Sequence, residues 1–328
     1  MASLLIIETV PRAENPIDAH VRNVIAIQKE LKKLEHTVDV LFINENSRRF
    51  QKKYDVVMVS YGTQFPFIHE LDKIEEINKD SAWGWLTNEY NLAPNGMFYK
   101  IFKKTSAFLL CNYEIGAVKF NCFKRSYSVN LNTLLFNEMP KTKKTKDFIY
   151  YGTYRVDREK YFKKYLQGDV YLSTSTKNHK KFLHIGCTAK PIMKFSWNKP
   201  ALLNFRYSLY IEDSFTHNNF NNLANRFYES LACSCVILFD RSCVATLRQA
   251  GLTDYEQFLI DSTEDLKKFN ENNYENLLGI QQKWKDIVIL DKVKTTYSIS
   301  EIITGEANAS KARLNQTSTN EQRLQESN

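Results

Sequence analysis

Along the first half of the chain, short apolar runs alternate with stretches whose apolar positions recur every three or four residues. Leu4–Glu8, Val38–Ile43, Asp55–Ser60, Trp83–Leu86 and Ala107–Leu110 read as strands. Between them, Asp18–Leu34 reads as a helix with Val21, Val24, Ile27, Leu31 and Leu34 on one side, and Phe67–Asn78 as another. The strand runs show little polar alternation, which suits a parallel sheet covered on both faces. Strand–helix–strand order predicts a doubly wound α/β domain.

Asn137–Asp147 is polar, basic and carries Pro140, and reads as a domain linker. The alternation then resumes. Strands are expected at Phe148–Tyr151, Val170–Leu172, Phe182–Ile185, Leu209–Ile211 and Cys235–Phe239. Helices are expected at Asp157–Leu166, Leu223–Ala232, from Val244, and over Asn276–Ile303. Gly305–Asn328 has no aromatic residue and few apolar ones, so disorder is expected there. A chain of 328 residues is long for one core. The division this predicts is an N-terminal α/β domain over 1–138, a second over 139–304 ending in a long helix, and a tail over 305–328.

Composition narrows the compartment and the partners. No apolar run approaches the roughly 20 residues that span a bilayer. The N-terminal apolar run lacks a basic flank and reads as a buried strand, not a signal peptide. Cys111, Cys122, Cys187, Cys233, Cys235 and Cys243 form no CxxC pair, and several sit in apolar runs. Reduced thiols and a cytoplasmic location are the simplest reading. The net charge of +8 favours a polyanionic partner. Its basic residues cluster at Arg48–Lys53, Lys100–Lys104, Lys141–Lys146 and Lys177–Lys181, which suits solvated surface, nucleic acid or a membrane surface.

Two segments carry candidate chemistry. In IYYGTYRVDRE, Ile149–Glu159, an apolar run stops at Gly152, and Arg155 and Arg158 follow where a helical pattern starts. In NRFYESLACSCVILFD, Asn225–Asp240, Arg226 and Glu229 lie three apart on a helix that feeds a buried strand. Arginines near helix N-termini suit a diphosphate, and a carboxylate beside them suits the paired hydroxyls of a ribose. Both segments lie at the ends of strands or lead into them, where α/β sheets bind ligands. The pair points to a nucleotide-sugar glycosyltransferase. The plainer alternative is a surface ion pair between Arg226 and Glu229 and a solvated first turn for Arg155 and Arg158.

These residues resemble the DNA β-glucosyltransferases of T-even bacteriophages. Those enzymes have two Rossmann-like domains facing a central cleft (the GT-B fold) and move glucose from UDP-glucose onto 5-hydroxymethylcytosine in duplex DNA. The resemblance is scattered and densest from Lys143 to Ile303. Tyr151-Gly152-Thr153-Tyr154-Arg155 is similar to the family's YGGSFR-type strand end, with Arg158 one residue earlier than the family spacing. Arg226-Phe227-Tyr228-Glu229 is similar to its RVWE-type helix start, Asp213–Phe220 to its Asn-rich loop, and Ile280-Gln281-Gln282 to its closing helix. The resemblance implies that Arg155, Arg158 and Arg226 hold the donor diphosphate. It implies that Glu229 binds the ribose and that Gly152 lets backbone approach the phosphates.

Transfer to a hydroxymethyl group needs a general base. In the family this is an Asp after a strand ending Phe-Thr, and here Asn88 stands in that place, with Glu89 beside it. Asn cannot take the proton, so the expected base is Glu89, with Asp18 and His20 as alternatives. Tyr61, Gln64, Phe65 and Asn88 are expected on the acceptor side. The expectation is an inverting hexosyltransferase using a UDP-sugar, glucose first, on a hydroxymethylated pyrimidine in double-stranded DNA, as a monomer. No metal site or membrane partner is expected, no cofactor is required, and a divalent cation is at most a stimulant. Two other readings share the scaffold: an enzyme of cell-surface polysaccharide or glycolipid synthesis, and a non-catalytic DNA-binding protein, for which Asn88 speaks.

Overall fold

The computed structural model describes residues 1–12, 19–60, 70–87, 96–112, 122–193, 201–212 and 222–326. The chain divides into two compact units, one of Met1–Leu134 with Lys292–Asn328 and the other of Leu135–Asp291.

The first unit is built on a six-stranded sheet of β1 (Ser3–Glu8), β2 (Thr37–Phe42), β3 (Val56–Ser60), β4 (Ala82–Thr87), β5 (Phe108–Cys111) and β6 (Arg125–Ser128). The strands run parallel in the order β2-β1-β3-β4-β5-β6. Successive residues alternate between two cores. Leu4, Ile6, Val56, Met58 and Leu110 face one, while Leu5, Ile7, Val57, Val59 and Leu109 face the other. A sheet buried on both faces is why these strands read as unbroken apolar runs. Helix α1 (Ala19–Lys33) contributes Val21, Val24, Ile27 and Leu31 to the first core. Helices α2 (Leu71–Ile77) and α3 (Gly96–Thr105) supply Leu71, Ile74, Phe98 and Phe102 to the second. Gly84 sits in mid-strand because a Cβ there would lie 2.5 Å from the ring of Phe108, its register partner on β5.

The second unit carries β7 (Lys146–Tyr151), β8 (Tyr171–Thr174), β9 (Lys190–Met193), β10 (Phe205–Tyr210), β11 (Val236–Asp240) and β12 (Leu259–Ile260), parallel in the order β12-β11-β10-β7-β8-β9. Read from the other edge this is the 3-2-1-4-5-6 order of a Rossmann fold, with its switch point between β7 and β10. Helices α4 (Glu159–Tyr165), α5 (Thr176–His184), α6 (Asn225–Ala232), α7 (Val244–Gln249) and α8 (Thr263–Leu266) accompany the strands. Gln281 accepts from Ile237 N at 2.9 Å and donates to Cys235 O at 2.7 Å, tying the start of β11 to the last helix.

Three expectations need correction. Phe182–Ile185 is not a strand; Phe182 is buried on α5, whose N-cap Ser175 accepts from Asn178 N. Asn137–Asp147 is not a free linker. Lys144 is buried and donates to Cys233 O at 2.6 Å, Met139 N donates to Ala232 O, and Lys146 already belongs to β7. Nor does order stop at Gly305. Helix α9 runs from Glu271 to Glu326, and Ile299, Ile303 and Ala307 are buried in the first unit's core. Glu306 is 2% exposed there and accepts from Arg125 Nε at 2.5 Å, Arg125 Nη2 at 2.6 Å and Tyr127 Oη at 2.7 Å. A polar stretch is thus held helical by tertiary contacts that its composition does not advertise.

His36 supplies a pH-sensitive tie in the first unit. Its Nδ1 accepts from Ala2 N at 3.3 Å, so the ring proton sits on Nε2, which donates to Ser300 Oγ at 2.7 Å. Burial lowers its pKa below the ordinary 6.5. Protonation would also set an N–H against the Ala2 N–H. The unfolded chain therefore takes the proton more readily, and stability is full above pH 6.5 and declines as pH falls below it. Thermal melts from pH 8 to 5 should show this decline, and the His36→Gln variant should show less of it.

Candidate functional site

The second unit's switch point brings together residues from four places in the chain. β7 ends at Tyr151, and Gly152 follows with φ +150°. Its N–H donates to Ser173 O at 3.1 Å. A Cβ here would lie 3.2 Å from Tyr150 Oη and 3.6 Å from Arg226 Nη2, so glycine keeps the chain close to that guanidinium. The chain then makes a short turn, Val156–Arg158, and enters α4. On the neighbouring strand, β10 is followed by Ile211 and Glu212. Helix α6 brings Arg226 and Glu229; its N-cap is Ala224, which makes no side-chain cap hydrogen bond and whose N–H donates to Tyr210 Oη at 2.7 Å.

Three charged side chains meet there. Arg158 Nη2 donates to Glu212 Oε2 at 2.7 Å, and Arg226 Nη2 lies 3.5 Å from Glu212 Oε1. Arg226 is also held by Ile211 O at 2.5 Å and Tyr150 Oη at 3.2 Å, and its guanidinium stands 5.2 Å from the Tyr150 ring centre. Burial works against its charge, but Tyr150 and Glu212 outweigh it and the pKa is raised. Burial and the Glu212 charge push the Tyr210 hydroxyl well up, so it stays neutral. Glu229 is buried at 1% exposure, and Tyr151 Oη donates to its Oε2 at 2.8 Å.

Of the residues singled out in the sequence, Gly152, Arg158, Arg226 and Glu229 lie together here, and Glu212, Tyr150 and Tyr151, which were not singled out, lie among them. Arg226 and Glu229 are not a surface pair, since the acid that Arg226 faces is Glu212 and both acids are buried. Arg155 stands apart from the buried cluster. Its side chain is 45% exposed and lies 3.7 Å from Asp157. Glu212 sits at the end of an apolar strand, which is a signal only once that strand is known to border the switch point.

In the first unit the switch point lies between β1 and β3. Glu8, Thr9, Ser60, Thr87 and Asn112 are buried polar residues at strand carboxyl ends. Thr9 Oγ1 donates to Ser60 O at 3.1 Å, and Glu8 Oε1 accepts from Val10 N at 2.9 Å. Of these, Glu8 and Ser60 were read from the sequence only as strand ends. Asp18, Tyr61, Gln64, Phe65, Asn88, Glu89 and Asp213–Phe220 lie outside the described residues, as does the side chain of His20.

The basic clusters differ in kind. In Arg48–Lys53 every cation has a carboxylate: Arg48 with Glu70 at 3.7 Å, Arg49 with Glu45 at 3.0 Å, Lys52 with Asp39 at 2.9 Å and Lys53 with Asp80 at 3.7 Å. Lys141 and Lys143 are exposed, whereas Lys144 is buried. Among the described residues no His, Cys, Asp and Glu group could hold a metal ion, and no helix is long and apolar enough to cross a membrane.

The sequence matches no protein-family model, and no curated protein matches it. Solved structures are similar in fold. The T4 phage beta-glucosyltransferase in complex with UDP-glucose is 16% identical over 92% of this chain and 99% of its own, with a TM-score of 0.65. An alpha-glucosyltransferase in complex with UDP and a 13-mer DNA containing an HMU base is 9% identical over 90% of this chain and 94% of its own, with a TM-score of 0.56. An alpha-glucosyltransferase bound to UDP-glucose and DNA with an abasic site gives a TM-score of 0.57 at 9% identity, over 92% of this chain and 99% of its own. Across both units, then, the chain has the two-sheet GT-B fold of these glucosyltransferases.

Proposed function

We propose that this protein is a DNA-modifying glycosyltransferase that takes a sugar from a UDP-sugar, glucose first, and places it on 5-hydroxymethylcytosine or another hydroxymethylpyrimidine in duplex DNA. The observation that carries the reading is the pair of arginines, the buried Arg158 and the largely enclosed Arg226, at the switch point of a Rossmann-type sheet. A surface helix has no use for guanidinium groups so nearly closed to water, whereas a diphosphate needs them. Arg158 and Arg226 bind the diphosphate, and the more exposed Arg155 closes over it from the solvent side. Glu229, held by Tyr151, accepts from the ribose hydroxyls.

In the reaction the acceptor hydroxyl attacks the anomeric carbon and inverts it, the base takes the hydroxyl proton, and UDP leaves as an anion. The arginines stabilise the charge that grows on the leaving diphosphate. Glu89 is the proposed base, and Tyr61, Gln64 and Asn88 serve the acceptor. A base within a duplex is extruded to be reached. The modified DNA would resist host nucleases. The neighbours whose complexes contain UDP-glucose, or UDP and DNA, support this choice of substrates. A monomer acting in the cytoplasm without a required cofactor completes the proposal.

The test is mass spectrometry of nucleosides from hydroxymethylcytosine-containing DNA incubated with the protein and a panel of UDP-sugars. A mass gain of one sugar with one donor is expected, and no gain with any donor, while UDP still binds, would redirect the search to lipid or glycan acceptors. In calorimetry, Arg226→Ala and Glu229→Ala should each weaken UDP binding by about tenfold or more. DNA affinity should be unchanged; if both variants bind UDP like the parent, the donor site is elsewhere. Glu89→Gln should lower kcat by about a hundredfold or more with little change in the KM for donor. An unaltered kcat would remove Glu89 from the role.

A further inference from the structure

The two cations suited to a diphosphate already share a carboxylate. Glu212 is 2% exposed, Arg158 6% and Arg226 12%. Two guanidinium groups this close and this dry repel one another, and Glu212 between them offsets that repulsion. A carboxylate and a phosphate offer guanidinium the same thing, oxygen anions spaced for its N–H groups. Both cannot occupy the arginines fully at once.

The contacts to Glu212 are unequal. The one to Arg158 is a hydrogen bond of 2.7 Å, while the approach of Arg226 is 3.5 Å. Arg226 keeps two further anchors, Ile211 O and Tyr150 Oη, that do not depend on Glu212. Beside it Gly152 adds no side chain, where a Cβ would lie 3.6 Å from Arg226 Nη2.

We propose that Glu212 is an internal counter-ion that stands in for the donor diphosphate in the ligand-free protein and yields the arginines, Arg226 first, when the sugar nucleotide arrives. This rests on the reading of the site as a UDP-sugar site. Glu212 then holds the empty site together and, by competing for the same cations, eases the release of UDP after transfer.

Calorimetry with UDP and with uridine on the parent protein, E212Q and R226A tests it, alongside thermal melts with and without UDP. E212Q should bind UDP about tenfold tighter or more, because the competing charge is gone. Its affinity for uridine should be unchanged. Without ligand it should melt lower than the parent, and UDP should raise its melting temperature by more than it raises the parent's. If E212Q does not fold, E212D keeps the charge but draws it back by one methylene and should also tighten UDP binding. UDP affinity equal to or weaker than the parent's would make Glu212 a fixed structural residue and overturn the proposal. If the parent binds UDP no better than uridine and R226A changes neither, the diphosphate reading itself has failed, and the counter-ion falls with it.

Discussion

Arg158 and Arg226 are two positive charges that the second unit brings onto one carboxylate, Glu212, and much of the local structure answers to that constraint. Removing one partner from a buried charge cluster of this kind costs about 3–5 kcal/mol. The surrounding groups are the ones such a cluster needs. Tyr150 offers its ring and hydroxyl oxygen, Ile211 its carbonyl, and Gly152 the absence of a side chain. β7 and β10 must be neighbours for this to happen, because Gly152 follows one and Glu212 the other. The sheet order is therefore part of the electrostatics.

Both units place their polar residues at the same topological position. In an open parallel sheet the connections on either side of a switch point lead away from each other, and the gap that remains at the strand carboxyl ends is where side chains can meet a ligand. The second unit fills this place with cations and the first with Glu8, Thr9, Ser60 and other neutral or acidic groups. The net positive charge of the chain is thus not a uniform coat. At Arg48–Lys53 it is met by acids, and at the second unit's switch point it is gathered inward.

The strands were legible because burial on two faces writes them as continuous apolar runs, and Val56–Ser60 or Val236–Asp240 need no context to be recognised. Elements that borrow stability from elsewhere were not. β6 reads Arg-Ser-Tyr-Ser, with an Arg125 and a Tyr127 that make sense only beside Glu306. α5 is rich in lysine and buries Phe182 among its core contacts. Gly152, Arg158, Arg226 and Glu229 stood out because glycine, paired arginines and a carboxylate at helical spacing are local signals. Glu212 lacked one, for its partners lie 54 and 14 residues away in sequence.

α9 also sets an order on the making of the protein. The second unit, Leu135–Asp291, is contiguous in sequence, so every residue of its core has been synthesised by residue 291. The first unit begins earlier yet finishes later. Ile299, Ile303 and Ala307 belong to the same core as Leu4, Val24 and Met58, and that core stays open until residues as far as Ala307 have emerged. The unit that is translated first is the one that must wait, and a released chain ending at residue 291 would carry all of the second unit's core and an exposed apolar face on the first.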